Sequence, residues 1–206
     1  MDKIPEPTIE RLFCYYRCLE KEKNSLGQSH ICSNLLGEKV GIKPALLRRD
    51  LSFLGHMGQK GKGYNRFLLK KALAQFIGLD QSWEIALIGA GNLGKALIKY
   101  DQFKEMGLFI KNIFENDLDK IGREIGGYIV QNVKDLKETI ENKEIKIVIL
   151  ATDDKDIKDV TSQLKQTNIR AVWNLSSENL DLGDNIIIIK EDLCCSLGSI
   201  LCKINK

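Results

Sequence analysis

The segment that leaves this chain the fewest options is the loop Gly89-Ala90-Gly91-Asn92-Leu93-Gly94. It follows an apolar, β-rich run from Trp83 to Ile88 and leads into Leu93, Ala96, Leu97 and Tyr100 at helical spacing. In a strand–turn–helix the three glycines have separate tasks. Gly89 allows the turn, Gly91 lets a pyrophosphate approach the backbone, and Gly94 lets helix and strand pack, while the helix N-terminus favours negative charge. A second apolar run ends at Phe114, and Glu115 lies 21 residues beyond Gly94. An acid at that interval accepts hydrogen bonds from ribose hydroxyls and repels a 2′-phosphate, so the pattern predicts NAD or NADH rather than NADP. The alternative is a glycine-rich turn that binds nothing.

The alternation continues. Lys146 to Ala151 reads as a buried strand, Asp156 to Gln166 as a helix, and Ala171 to Asn174 and Asn185 to Ile189 as further strands. Strands separated by helices predict an α/β, Rossmann-type, doubly wound parallel sheet. The tail from Asp192 to Ile204 carries Leu193, Leu197, Ile200, Leu201 and Ile204, a wide apolar face that needs a cover. A second subunit supplies one, and packing on the tail's own domain is the alternative.

Charge separates the rest of the chain from this part. Residues 1–80 hold 14 Lys and Arg against 8 Asp and Glu, a balance of +6, whereas 81–206 hold 17 against 20. The excess is concentrated in Lys43, Arg48, Arg49, Lys60, Lys62, Arg66, Lys70 and Lys71, which predicts a phosphate-seeking surface, the alternative being a solvated face. Ile9, Leu12, Phe13, Tyr16 and Leu19 place an amphipathic helix over 8–23. Ser33 is a candidate N-cap for a short helix stopped by Gly41. Pro44 starts the next, with Leu47, Leu51 and Leu54 on one side. Two short helices about a glycine turn form a helix-turn-helix, whose second helix presents its non-core residues to the major groove. Those residues are Lys43, Ala45, Leu46, Arg48, Arg49 and Ser52. Gly55, Gly58, Gly61 and Gly63, interleaved with Lys60 and Lys62, predict a wing, after which Asn65 caps a closing helix. The expected organisation is a winged-helix DNA-binding domain over 1–80, a coenzyme domain over 81–190 and a dimerisation helix over 191–206.

Several classes are excluded. No apolar run reaches the length of a membrane span. Met1 to Thr8 has two prolines and two acids where a secretory signal needs an apolar stretch, which predicts a cytoplasmic address. The six cysteines form no C-x-x-C pair, and only His30 and His56 are available beside them, so no metal site is expected. An enzyme needs a substrate domain and a proton-transfer group near the nicotinamide. The 126 residues after Asp80 suffice for one nucleotide fold, and both histidines lie before it. No catalytic residue is expected.

The chain resembles, along essentially its whole length, the Rex family of redox-sensing bacterial transcriptional repressors. The opening run Ile4-Pro5, Thr8-Ile9, Arg11-Leu12, Tyr15 and Arg17 is similar to that family's first helix. Arg48, Arg49, Asp50, Leu51 and Ser52 are similar to its recognition helix, Gly55, Gly58, Gly61, Gly63 and Tyr64 to its wing, and Ala86 to Gly94 to its nucleotide loop. The resemblance implies a homodimer, joined through an exchanged C-terminal helix, that binds double-stranded inverted-repeat operator DNA and lets go when NADH accumulates. It places Tyr64 with the DNA-binding residues and Ala151, Thr152 and Tyr100 with the cofactor-binding ones. Arg17, Tyr100 and Asp192 stand where the family couples DNA to coenzyme. Departures are Leu46, where a glutamine is common, and Thr152-Asp153-Asp154 and Ser176-Ser177, where proline-containing segments are common. These departures leave open a constitutive DNA-binding paralogue with altered nucleotide binding and, further off, a small NAD-dependent oxidoreductase.

Overall fold

The computed structural model describes residues 4–22, 29–152 and 156–205. The expected end of the first helix at 23 and the pair Asp153 and Asp154 lie outside the described residues. The chain divides into two compact units, one running to Gln81 and the other starting at Ser82.

In the first unit, α1 (Glu6–Lys21) begins behind Pro5 with Pro7 in its first turn, where a missing N–H costs nothing. It therefore starts two residues before the expected position. A two-residue strand β1 (His30–Ile31) precedes α2 (Ser33–Val40) and α3 (Pro44–Leu51). The N-cap of α2 is Cys32, whose sulfur accepts the Leu35 N–H at 3.5 Å. Ser33 is instead the first helical residue, and its hydroxyl accepts a hydrogen bond from Arg48. Gly41 ends α2 in the left-handed region at φ 71°. Strands β2 (Gly58–Gln59) and β3 (Gly63–Asn65) form the antiparallel wing, and β1 pairs with β3 to give the order β1-β3-β2. The side chain of Asn65 accepts the Leu68 N–H at 3.0 Å and starts α4 (Arg66–Ile77). Leu12, Tyr15, Leu36, Leu47, Leu51, Leu69 and Leu73 meet in one core.

In the second unit, β4 (Trp83–Ile88), α5 (Asn92–Ile98), α6 (Asp101–Glu105), β5 (Leu108–Glu115), β6 (Glu124–Ile125), β7 (Tyr128–Asn132) and α7 (Leu136–Asn142) form the first half. Then follow β8 (Ile147–Leu150), α8 (Ile157–Leu164), β9 (Ala171–Asn174), β10 (Ile187–Lys190) and α9 (Leu193–Ile204). The sheet runs β10-β9-β8-β4-β5-β7-β6 and is parallel apart from the short β6. Alternate residues of β4 serve opposite faces: Ala86 and Ile88 join Phe114, Leu136, Val148 and Val160, whereas Ile85 and Leu87 join Ile98, Ile113 and Ile149. A strand buried on both faces must be apolar throughout, which is why its run shows no alternation. From β4 the chain progresses outward through β5 in one direction and, after β8, in the other. The crevice beyond the C-terminal ends of β4 and β8 is the switch point at which such sheets take ligands.

Leu197, Ile200, Leu201 and Ile204 of α9 are exposed, so this face is not packed on its own unit. Among the described residues no helix is long and apolar enough to cross a membrane.

On α3, Leu47 is fully buried and its neighbour Leu46 is 37% exposed. Leu47→Ala should therefore destabilise the first unit by about 2–5 kcal/mol, and Leu46→Ala by no more than about 0.5, in urea unfolding followed by circular dichroism.

Candidate functional site

The glycine loop is shaped by its neighbours. Gly89 has φ 106°, and a Cβ on it would collide with the Ala151 carbonyl. A Cβ on Gly94 would strike the Gly89 carbonyl, so α5 leaves β4 with backbone against backbone. Hydrogen bonds from Gly89 N–H to the Phe114 carbonyl (2.9 Å) and from Ala151 N–H to the Ile88 carbonyl (2.8 Å) fasten the loop between β5 and β8. At Gly91, the N-cap of α5, a Cβ would meet nothing.

The open space before Gly91 is a cavity of about 460 Å³ lined by Gly89, Gly91, Glu115, Asn116, Asp117, Lys120, Ala151, Thr152 and Asp156. Of the expected coenzyme residues it brings together Gly89, Gly91, Glu115, Ala151 and Thr152. Ala90 is fully buried and contributes its N–H to Glu115. Leu93 faces another cavity of about 410 Å³ with Leu97, Trp173, Leu175, Ser176, Ser177, Glu191, Asp192 and Cys194. Tyr100 lines neither of these two. It stands edge-on to Phe103 (centroids 5.0 Å apart), which in turn stands edge-on to Trp173 of the second cavity (6.3 Å).

Glu115 is 6% exposed, and its carboxylate is already occupied. One oxygen accepts Ala90 N–H (2.9 Å) and Lys120 Nζ (3.2 Å); the other accepts the N–H groups of Asn116 (2.9 Å) and Asp117 (3.3 Å). Burial pushes this carboxyl up, but the bonds from Ala90, Asp117, Lys120 and Asn116 outweigh it and hold the group below the usual glutamate range. Lys120 also reaches Asp117 at 3.3 Å, and Glu115 raises its ammonium above the usual value. Lys120, Asn116, Asp117 and Asp156 were not among the expected site residues. Asn116, Asp117 and Lys120 sit on the loop after β5 and Asp156 is the N-cap residue of α8, and no spacing signal marks them as site residues.

The wall of the second cavity is set by Asn174, which is fully buried. Its carbonyl accepts the Ser176 N–H (3.0 Å) and hydroxyl (2.7 Å), and its amide donates to the Glu178 carbonyl (2.8 Å). The Ser176-Ser177 turn is thus held by side-chain hydrogen bonds. Asp192 is the N-cap of α9 and accepts the N–H groups of Cys194 (2.8 Å) and Cys195 (3.3 Å). Arg17 lies on α1 of the first unit.

In the first unit Lys43, Ala45, Leu46, Arg48, Arg49 and Ser52 on or beside α3, and Lys60 and Lys62 at the wing, are all exposed. Ion pairs among the described residues of this unit include Arg11 with Asp50, Lys39 and Arg66 with Glu22, and Lys70 with Glu20. Lys43, Arg49, Lys60 and Lys62 take part in none of these four, and Arg48 donates to Ser33 Oγ at 2.9 Å. Tyr64 differs from expectation: it is 8% exposed and belongs to the core, its ring lying where a side chain on Gly58 would be. The tyrosine supports the wing from within.

A winged helix with uncommitted cations, followed by a parallel sheet with a glycine cradle and a buried acid, defines the class of nucleotide-binding transcriptional regulators. Comparison with known proteins agrees. Residues 3–52 match the family model of a putative DNA-binding protein N-terminus, and residues 80–178 match that of a CoA binding domain. The redox-sensing transcriptional repressor Rex of Desulforamulus reducens is 35% identical over 95% of this chain and 92% of its own length. That of Thermosipho africanus is 32% identical over 99% and 97%. The crystal structure of RSP in complex with beta-NAD+ and operator DNA superposes with a TM-score of 0.92 at 32% identity, covering 100% of this chain and 94% of that one. The beta-NADH complex gives 0.84 at 30%, covering 100% and 96%. The chain belongs to the Rex family of redox-sensing transcriptional repressors.

Two outcomes follow from the cradle. Gly91→Ala should leave stability unchanged and abolish dinucleotide binding in calorimetric titration, whereas Gly94→Ala should also lower the unfolding temperature. For Glu115 the folded pKa lies below the unfolded one, so its contribution is complete above the unfolded value and is lost as pH falls through the folded value. Glu115→Gln should therefore be less stable than the parent near neutrality and show a shallower acid limb in thermal melts from about pH 7 to about pH 3.

Proposed function

We propose that this protein is a homodimeric repressor that grips inverted-repeat operator DNA and releases it when NADH fills the glycine cradle, reporting the NADH/NAD ratio. The observation that carries this reading is the open space at Gly91, bordered by Glu115 and sited at the switch point of the sheet, in a chain whose other unit presents Lys43, Arg49, Lys60 and Lys62 exposed and, among the described residues, outside any ion pair. The relative RSP has been crystallised with beta-NAD+ and operator DNA and with beta-NADH, which supports both ligands for this chain.

The residues fit a dinucleotide. Gly91 leaves room for the pyrophosphate over the N-terminus of α5, and Glu115 receives the adenosine ribose. Three of the four donors on that carboxylate are backbone N–H groups. Lys120 is the one on a flexible side chain, so it is the donor that ribose hydroxyls would displace. The apolar second cavity, with Leu93, Leu97 and Trp173, suits a flat ring at the other end of the ligand. Tyr100 touches that wall through Phe103, and Asp192 lines it, which supports the assignment of these two to coupling; Arg17 is proposed with them on the family resemblance. The coenzyme is sensed rather than consumed, residues 191–206 pair two subunits through the exposed face of α9, and the protein acts in the cytoplasm, where its DNA is.

The test is a gel-shift titration of NADH and NAD against an inverted-repeat duplex that the protein selects from a randomised library. NADH should release the duplex at concentrations at which NAD does not. Binding that ignores NADH at millimolar levels would mark a constitutive paralogue, and the salt slope of binding would count the phosphates neutralised.

A further inference from the structure

Inside the first unit, a charged cluster is buried where an apolar one would serve stability equally well. Asp50 lies on α3 between Arg49 and Leu51 and is 1% exposed. Arg11 of α1 grips it with two hydrogen bonds, Nε to Oδ2 and Nη2 to Oδ1, each 2.7 Å long. The hydroxyl of Tyr15, itself fully buried, donates to Oδ2 at 2.7 Å, and Thr8 Oγ1 accepts from Arg11 Nη2 at 3.0 Å. Thr8, Arg11 and Tyr15 share one face of α1. Burial pushes the Asp50 carboxyl up, yet the bonds from Arg11 and Tyr15 bring it below the usual aspartate range, and the hydrogen bond to Asp50 raises the Arg11 guanidinium. The cluster is charged at neutral pH.

We infer that Asp50 is a positioning residue for operator recognition: the Arg11 fork and the Tyr15 hydroxyl lock the roll of α3 about its own axis, so that its exposed side chains meet the right base edges. This inference rests on the operator-binding function proposed above. The remaining ties of α3 are the leucines Leu47 and Leu51, whose contacts have no direction, and one exposed single hydrogen bond from Arg48 to Ser33 Oγ. A roll of about 20° carries a side-chain tip about 6 Å from the helix axis through about 2 Å, more than the tolerance of a hydrogen bond to a base. A two-bond guanidinium–carboxylate contact is directional and forbids that roll. Stability does not require it, because apolar groups of similar volume often replace a buried ion pair without loss. Phosphate contacts from Lys43, Lys60 and Lys62 tolerate such a shift, since they neutralise charge without reading sequence.

The inference therefore separates two quantities. The parent, Asp50→Asn and Tyr15→Phe are titrated by fluorescence anisotropy against a duplex the parent selects from a randomised inverted-repeat library and against the same duplex with scrambled half-sites. Asp50→Asn should lose about tenfold or more in preference for the selected duplex, and Tyr15→Phe a smaller part of it. Affinity for the scrambled duplex, its salt slope and NADH binding should stay within about twofold of the parent. If both duplexes weaken equally, or the preference survives in folded Asp50→Asn, the inference is overturned. If Asp50→Asn does not fold, the paired replacement Arg11→Met with Asp50→Leu decides: folded with lost preference upholds it, folded with parental preference overturns it. A parent that selects no inverted repeat would instead overturn the operator-binding function itself.

Discussion

The second unit depends on backbone meeting backbone, with no room for a side chain, at the end of β4. The Gly89 carbonyl occupies the place a Gly94 side chain would need, and the Ala151 carbonyl occupies the place a Gly89 side chain would need. From this contact follows the departure of α5 directly from the sheet, and from that departure the open space at Gly91. The Phe114 and Ile88 carbonyls, by accepting Gly89 N–H and Ala151 N–H, transmit the geometry of β5 and β8 to the loop. The cradle is thus the end of a close-packed sheet rather than a loop with freedom of its own. Its glycines are of two kinds, two absent side chains that let the protein touch itself and one that leaves room for something else.

The acid facing that space depends on the same contact. Ala90 is fully buried, and its N–H is aimed at Glu115 by the turn at Gly89. The carboxylate stays ionised in a nearly closed setting because the loop supplies donors on one side and Lys120 on the other. An isolated carboxylate there would take up a proton instead. A neutral acid would no longer repel a 2′-phosphate, so the choice between dinucleotides is set in part by bonds internal to the protein.

Local patterns were legible in the sequence and long-range pairings were not. Strand β4, the loop and α5 are contiguous, and each of their residues acts on its neighbours, so spacing alone placed Gly89, Gly91 and Gly94. Pro44 and Gly41 likewise marked the break between α2 and α3. Arg11 and Asp50 are 39 residues apart and share no period, and Lys120 reaches Glu115 from a loop. Strand β1 is two residues long, too short for alternation to register. Sulfur is a weak acceptor, so nothing in the sequence marks Cys32 as a cap, and the hydroxyl next to it answers Arg48 instead. The family resemblance of the wing is what puts Tyr64 among the DNA contacts. In the hairpin its side chain alternates inward, beneath Gly58.

The two units treat charge in opposite ways, and the contrast bears on how one chain can hold a reader of DNA and a sensor. In the first, Lys43, Arg49, Lys60 and Lys62 face outward and join no ion pair among the described residues, while the buried Asp50 carboxylate accepts from both Arg11 and Tyr15. A free cation is an asset where the partner is a polyanion, whereas the Asp50 carboxylate, buried without its partners, would be costly. In the second, acids outnumber cations around the cradle, so a dinucleotide carrying its own negative charge must be held by backbone N–H groups and shape more than by net attraction. The pyrophosphate is common to both redox forms, so discrimination between them has to come from contacts at the nicotinamide ring. Either redox form shifts the DNA-binding equilibrium only by the difference in its affinity for the two protein states, however tightly it binds.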